Sequence, residues 1–356
     1  MPNIRILIVE DSSPIRQAIS SLLTEEPDMQ VVGIAPNGRV GVEKVEQVRP
    51  DVVLLDIEMP EMDGMTALKL IRKNHPRLPI IMFSALTTKG ATQTLEALAL
   101  GADDYVAKPT MQASMDQALE NCKQELVPKI RALHERSGQE KVTVARVAAP
   151  ARGIVSSHAD VVVLSASTGG PTALAELLPK FPASCPVPIV VVQSMLPLLI
   201  TSFVERLQKS CQMKVMETGA AQRLHPGIYV AAGGKHTVVE RAGSYVQIQA
   251  QDGVPENAHL PSSDVLLRSV TGAYGGNCLV GILTGMGVDG VKGCERVRAC
   301  GGEVLVQDQE SSKVWGTATA VLEARLGHGV YPLHGLYDQI YKRVMASKSM
   351  PALAAS

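Results

Sequence analysis

Short apolar runs alternate with stretches of helical spacing along most of this chain. In the first third the runs are IRILIVE (4–10), MQVVGIA (29–35), DVVLLD (51–56), PIIMFSA (79–85) and DYVAKP (104–109). Between them lie SPIRQAISSLLTEE, GRVGVEKVEQVRP, GMTALKLIRKNH and TQTLEALALGA, whose apolar residues recur every three to four positions. Strands alternating with amphipathic helices predict a parallel sheet covered by helices on both faces. Five such units end near Pro109, and a closing helix is expected from about Ser114 to His134.

Residues 135–157 lose the periodicity and are rich in Ala, Arg, Ser, Gly and Pro, which predicts a linker. The rhythm then resumes. DVVVLSA, VPIVVVQ, GIYVAAG, NCLVGILTG and GEVLVQD are the predicted strands. PTALAELLPKF, SFVERLQKS, SSDVLLRSVTGAYG, VKGCERVRAC, ATAVLEARLG and LYDQIYKRVMAS are the predicted helices. HTVVER and YVQIQA flank AGS and predict a hairpin. The expected fold class is α/β, with two doubly wound parallel-sheet domains. The first, 1–134, is of flavodoxin type; the second, 158–347, is Rossmann-like with a small β-hairpin, and 348–356 is a tail.

Composition narrows the function. At 356 residues the chain exceeds the size at which one core usually divides. Its net charge of −1 gives no bulk attraction to nucleic acid or anionic lipid, and 3% aromatic residues leave little for base stacking. Six cysteines without a CxxC pair point to a reducing compartment and not to a disulfide framework or zinc site. The N-terminal text has no signal-peptide pattern, and no apolar run reaches the roughly 18–20 residues of a membrane span. A cytoplasmic protein is expected.

Chemistry gathers at the strand ends. In a doubly wound sheet, ligands sit beyond the carboxyl ends of the strands. Glu10 and Asp11 follow the first run, Asp56 the third, Ser84 the fourth and Lys108 the fifth. Three neighbouring carboxylates repel unless a cation lies among them, and a hard ion such as Mg²⁺ takes oxygen ligands while leaving room for phosphate. A hydroxyl and a lysine opposite can hold phosphoryl oxygens, and an aspartate beside Mg²⁺ is a phosphoryl acceptor. The alternative is that these acids merely cap helices.

Ser167 follows the run DVVVLSA and precedes Thr168, Gly169, Gly170 and Pro171, so it sits on a strand–loop–helix turn. It is a helix cap, part of a phosphate-binding turn, or a nucleophile whose oxyanion the open amides near Thr168–Gly170 would hold. Asp289, in the loop LTGMGVDGVKG, is either a cap or a carboxylate that orients a base.

Residues 4–121 resemble the response-regulator receiver domain, through VEDS, DVVLLDIEMPEMDG, FSALTTKG and DDYVAKP. The resemblance implies phosphorylation of Asp56 by a chemotaxis-type histidine kinase. It also implies Mg²⁺ bound by Asp11, Asp56 and the backbone carbonyl of Glu58, with Glu10 nearby. Ser84 and Lys108 would contact the phosphoryl group, and Tyr105 would be the aromatic that moves on switching. Residues 158–345 resemble the protein-glutamate methylesterase family of chemotaxis, through SASTGGP, SFVERL, PGIYVAAGGKH, HLPSSDVLLRSV and ILTGMGVDG. That family hydrolyses glutamyl methyl esters on methyl-accepting chemoreceptors and deamidates certain glutamines there. Ser167 matches its nucleophile and Asp289 its triad acid. No cofactor is expected in this second domain, and neither nucleic acid nor membrane insertion is expected of the chain.

The family's base is a histidine in Gln-His-Met-Pro, and here the text is Gln193-Ser194-Met195-Leu196-Pro197. A serine hydroxyl does not accept a proton at neutral pH. Ser165 replaces a usual glycine, Leu198-Leu199 replace Pro-Gly, and Gly234 replaces an aspartate. Ala258 and Leu260 replace the arginines flanking His259. His236 and His259 are the substitute bases to consider, with Lys235 as a helper; His225 is given no role. Two readings follow: a phosphorylation-activated methylesterase, or an impaired relative serving as a phospho-gated binding module or phosphate sink.

Overall fold

The structure is a computed structural model, and it describes residues 3–85, 87–109, 115–138 and 159–346. Most of the expected linker and all of the expected tail lie outside the described residues. The chain divides into two compact units, Met1–Glu140 and Lys141–Ser356.

In the first unit the apolar runs become β1 (Ile4–Val9), β2 (Met29–Ala35), β3 (Val52–Asp56), β4 (Ile80–Ser84) and β5 (Asp104–Ala107). They form one sheet in the order β2-β1-β3-β4-β5, and every pairing is parallel. A parallel sheet is buried on both faces, so its central strands carry continuous apolar sequence; all five residues of β3 are buried. The helices are α1 (Ser13–Thr24), α2 (Gly38–Val48), α3 (Gly64–Asn74), α4 (Thr88–Ala99) and α5 (Met115–Gly138). Asn37, Asp63 and Thr87 cap α2, α3 and α4 through side-chain oxygens that accept backbone N–H bonds.

The second unit holds β6 (Val161–Ala166), β7 (Ile189–Gln193), β8 (Val215–Glu217), β9 (Gln222–Arg223), β10 (Ile228–Val230), β11 (His236–Ala242), β12 (Tyr245–Gln251), β13 (Cys278–Ile282), β14 (Glu303–Gln307) and β15 (Gly329–Tyr331). Its helices are α6 (Gly170–Leu177), α7 (Pro197–Ser210), α8 (Ser263–Tyr274), α9 (Val291–Ala299), α10 (Gly316–Glu323) and α11 (Leu333–Ala346). Seven strands form a parallel sheet in the order β15-β14-β13-β6-β7-β10-β8. The strand order reverses on either side of β6, which makes its carboxyl end a switch point.

The expected hairpin is present: β11 and β12 pair antiparallel around Gly243, whose φ of +62° suits glycine. It is not an appendage of the large sheet, because β9 pairs with β12 to make a separate three-stranded sheet. β8, β9 and β15 have two or three residues each, too few to show a period. α7 begins five residues earlier than its apolar spacing shows, with Pro197 supplying the fixed φ of a first turn. No helix among the described residues is long and apolar enough to cross a membrane.

Candidate functional site

The carboxyl edge of the first sheet collects the acids. Glu10 and Asp56 are buried, each 1% exposed, while Asp11 is exposed. One carboxylate oxygen from each of these three residues can lie within 4.8 Å of the others. Lys108 reaches in from beyond β5, with its Nζ 2.7 Å from Asp56 Oδ2 and 2.9 Å from Glu10 Oε2. Asp56 Oδ1 accepts a bond from the Glu58 amide at 3.2 Å, and Glu10 Oε1 accepts one from the Ser12 amide at 3.0 Å.

One lysine does not balance this crowding. Burial first, and then the Asp56 charge, pushes the Glu10 carboxyl up to about 7, against the pull of Lys108. Burial also raises Asp56, although Lys108 opposes it. Burial works against the Lys108 charge, but Asp56 and Glu10 outweigh it and hold the ammonium above its usual range. Glu10 Oε2 and Asp56 Oδ2 have Lys108 as a charge partner and no well-aligned hydrogen bond. Buried hard oxygen donors with excess negative charge fit a divalent cation of the Mg²⁺ type.

Ser84 ends β4 and is buried; its Oγ lies 2.8 Å from the Thr94 hydroxyl of α4. Thr94 in turn bonds the Gly90 carbonyl at 2.7 Å, so it fixes the serine, a role no local motif announces. Tyr105 is buried on β5 beneath α5, where Lys129 Nζ stands 4.8 Å from its ring centroid and 2.6 Å from its carbonyl oxygen. The Glu58 side chain turns outward to Lys89 at 2.6 Å. Sequence reasoning had placed these residues at one sheet edge, and the structure brings Glu10, Asp11, Asp56 and Lys108 together there.

The second unit has a small cavity at the carboxyl ends of β6, β7 and β13. Its lining includes Ser165, Ser167, Ser194, His259, Met286 and Asp289. Ser167 begins the turn into α6. Its amide donates to Thr284 O at 3.1 Å, and its carbonyl accepts from Gly170 N at 2.8 Å and from Gln193 Nε2 at 3.0 Å. Gly169 carries φ +77°, and the Gly170 backbone approaches Gln193 so closely that a Cβ there would stand 1.9 Å from Gln193 Oε1. The two glycines therefore serve a tight turn against a buried glutamine.

The Ser167 hydroxyl accepts a bond from Met286 N at 3.0 Å, and its own proton has no acceptor among the described residues. The amides of Thr168 and Gly169 likewise make no bond to described residues, whereas Gly170 N is occupied by Ser167 O. Open amides beside a reactive oxygen can hold an oxyanion, and the donors left for it are Thr168 and Gly169.

Thr284, at the end of β13, is a residue that sequence reasoning missed. It is 1% exposed; its Oγ1 accepts from Lys313 N and Val314 N at 3.0 Å each, and lies 2.9 Å from Thr168 O. Its amide donates to Gln307 Oε1 at 2.8 Å. It thus laces three strand-end loops around the serine. Thr284→Val would remove the hydroxyl oxygen that accepts from two backbone N–H groups. We expect a loss of about 2 kcal/mol, read as a lowered midpoint in urea unfolding followed by the fluorescence of Trp315.

Asp289 is buried and, among the described residues, makes no hydrogen bond to an imidazole. Its carboxylate accepts from Ser262 Oγ at 2.6 Å, Ser263 N at 2.6 Å and Asp264 N at 3.3 Å, so it closes the start of α8. The helix it caps is not α9, which it precedes in sequence. Ser194 lines the cavity, half-buried, and its carbonyl accepts from Gln193 Nε2 at 3.1 Å. Ser165 Oγ and Ser263 Oγ lie 2.6 Å apart across the same floor.

The two candidate histidines differ. His236 is buried; its Nδ1 accepts from Ser262 N at 3.2 Å, so its Nε2 carries the proton and donates to Val254 O at 2.9 Å. Both nitrogens are engaged, and His236 is not among the residues lining the cavity. His259 does line it. Its Nδ1 lies 2.7 Å from Asn257 O, a group that only accepts, so Nδ1 is protonated and Nε2 carries the lone pair. Lys235 is drawn outward to Asp252 at 3.0 Å.

Comparison with known proteins adds to this geometry. The family model described as CheB methylesterase matches residues 162–340, and the response regulator receiver domain model matches residues 6–120. The chain is 43% identical over 351 residues to the protein-glutamate methylesterase/protein-glutamine glutaminase of Trichodesmium erythraeum, covering 97% of this chain and all of that relative. It is 42% identical to the protein of the same name from a Nocardioides species, over 99% of this chain and 98% of the relative. The crystal structure of the Thermotoga maritima CheB methylesterase catalytic domain is similar, with a TM-score of 0.51 and 31% identity, covering 52% of this chain and 98% of that one.

Proposed function

This chain belongs to the CheB methylesterase family and carries a response regulator receiver domain, and on that basis we propose that it is a phosphorylation-activated esterase that demethylates glutamyl side chains of chemoreceptors. The names of its relatives extend the reading to deamidation of glutamine. The observation that carries it is the Ser167 turn: a half-buried reactive oxygen that lines the cavity, held by Met286 N at 3.0 Å, beside the open amides of Thr168 and Gly169.

In the receiver, Asp56 attacks the phosphorus of a phosphorylated histidine on a kinase. The carboxylates of Asp11 and Asp56 and the carbonyl of Glu58 would hold Mg²⁺, with Glu10 close by; when bound, that ion draws charge from the phosphoryl oxygens. Lys108 takes one of those oxygens and Ser84 another, so the contacts that now pair Lys108 with Asp56 and Glu10 are redistributed. Tyr105 then repacks, which carries the change to the surface of the receiver. A cytoplasmic location suits both partners.

In the esterase, Ser167 Oγ adds to the ester carbonyl, and the oxyanion is held by Thr168 and Gly169. Methanol leaves, and water releases the glutamate. The binding-module reading draws on Ser194, which offers no base, and on Asp289, which is committed to α8.

The test is methanol release from radiolabelled methylated receptor, with and without acetyl phosphate and Mg²⁺. Phosphorylation is expected to raise the rate about 5- to 100-fold, the range of ordinary allosteric coupling. No methanol under either condition would leave the binding module as the function.

A further inference from the structure

We propose that His259 is the general base for Ser167, so that the esterase works with a base carried on the loop before α8 and not on the end of β7. The inference rests on the esterase reading and deepens it. It starts from two complementary groups in one cavity. The Ser167 hydroxyl proton has no acceptor among the described residues, and the lone pair on His259 Nε2 has no donor there. His236, the other imidazole considered, has both nitrogens committed to Ser262 N and Val254 O.

The loop is built to hold that imidazole. Asn257 and Ala258 both adopt the left-handed region, at φ +51° and +63°, which costs energy for residues with a Cβ. Glu256 and His259 bond backbone to backbone in both directions, at 3.1 and 2.9 Å, and so close the turn. Asn257 Nδ2 donates to Asp264 Oδ2 at 2.8 Å and lies 3.4 Å from Asp289 Oδ1. The Asn257 carbonyl receives His259 Nδ1–H at 2.7 Å. Asp264 therefore holds the amide side chain, with Asp289 as a longer second contact, and the Asn257 carbonyl fixes the tautomer.

The steps balance. Ser167 Oγ bonds to the ester carbon while its proton passes to His259 Nε2. The C–O bond to methoxide breaks, and the imidazolium returns the proton to give methanol. Water then attacks the acyl-serine, giving one proton to Nε2. Collapse releases the glutamate and restores the serine hydroxyl with that proton.

The titratable neighbours of His259 are Asp289 and Asp264 through Asn257, and Glu256, which is paired with Arg268 at 2.6 Å. These are carboxylates and a guanidinium, so an inflection between pH 5 and 8 that His259→Gln abolishes belongs to this imidazole, and one that survives the substitution belongs to another group, such as Glu10 of the receiver. The experiment uses the full phosphorylated chain with two readouts: methanol release from methylated receptor, and labelling of Ser167 by a fluorophosphonate, which needs no receptor. Wild type should show both rates rising through one inflection in that range. His259→Gln should lower both by about 100- to 10,000-fold and abolish the inflection. His236→Gln, which can keep both of its hydrogen bonds, should retain it.

If His259→Gln keeps the wild-type rates and inflection, the base assignment falls while the esterase stands. If wild type releases no methanol but labelling still depends on His259, the base stands and the substrate reading falls. If wild type shows neither reaction, both are overturned.

Discussion

Ser167→Ala is expected to lower methanol release from methylated receptor by at least about a thousandfold, leaving only what binding and the oxyanion amides supply. The size follows from the role: no other described side chain at the cavity shares the bond to Met286 N and the open amides of Thr168 and Gly169. Gly285→Ala is the more searching partner experiment, because it leaves the serine in place. A Cβ at Gly285 would stand 2.4 Å from Ser167 Oγ and 3.2 Å from Ser167 N. Relief requires the serine to move, and displacement of a reacting atom by about 1 Å costs about a hundredfold. Gly285→Ala is therefore expected to lose about a hundredfold in kcat while the receptor still binds. Wild-type turnover in Ser167→Ala would remove Ser167 from the reaction, and wild-type turnover in Gly285→Ala would show that the serine keeps its place beside the new methyl group.

The second large effect is on stability, and its sign is set by Glu10. The ordinary carboxyl value is 4.5, and in the folded receiver burial and Asp56 raise it to about 7. The unfolded chain therefore sheds this proton more readily than the folded one does. Its contribution to stability is fully present below about pH 4.5 and is lost as pH rises to about 7, a change of about 3 kcal/mol. Asp56 shifts in the same direction. The receiver should thus melt at lower temperature at pH 7.5 than at pH 5, and millimolar Mg²⁺ should raise the melting point more at pH 7.5. Glu10→Gln should flatten both dependences. Calorimetry can follow the magnesium-sensitive transition; a profile unchanged between pH 5 and 7.5 in wild type would show that the acids are not crowded in solution.

The strands, helices and their order were legible because buried parallel strands carry unbroken apolar runs and amphipathic helices carry a 3.6-residue period. β3 and β6 show this most plainly: every residue of each is buried. β8, β9 and β15 were illegible, since their pairing is set by the neighbouring strand and not by their own two or three residues. The acids of the receiver and the turn at Ser167 were legible from their places after strands. The lacing by Thr284, the service of Thr94 to Ser84 and the engagement of Gln193 were not, because each joins segments distant in sequence. Asp289 shows the limit most sharply. Its position beyond β13 was readable, but its commitment to the amides of α8 depends on how two loops meet.

The parts of the esterase site sit on different kinds of scaffold. Ser167, the proposed nucleophile, is locked between buried strands, where almost any change disturbs packing, whereas His259, the proposed base, rides on an irregular segment held by its own turn. Loops tolerate substitution, insertion and exchange far better than a sheet core does. A proton acceptor on such a segment can be relocated, duplicated or retuned by natural variation without disturbing the nucleophile, so a serine at position 194 is compatible with a transferred duty as well as with a vanished one. For an engineer, the 252–262 segment is accordingly the place to vary when a different ester is wanted.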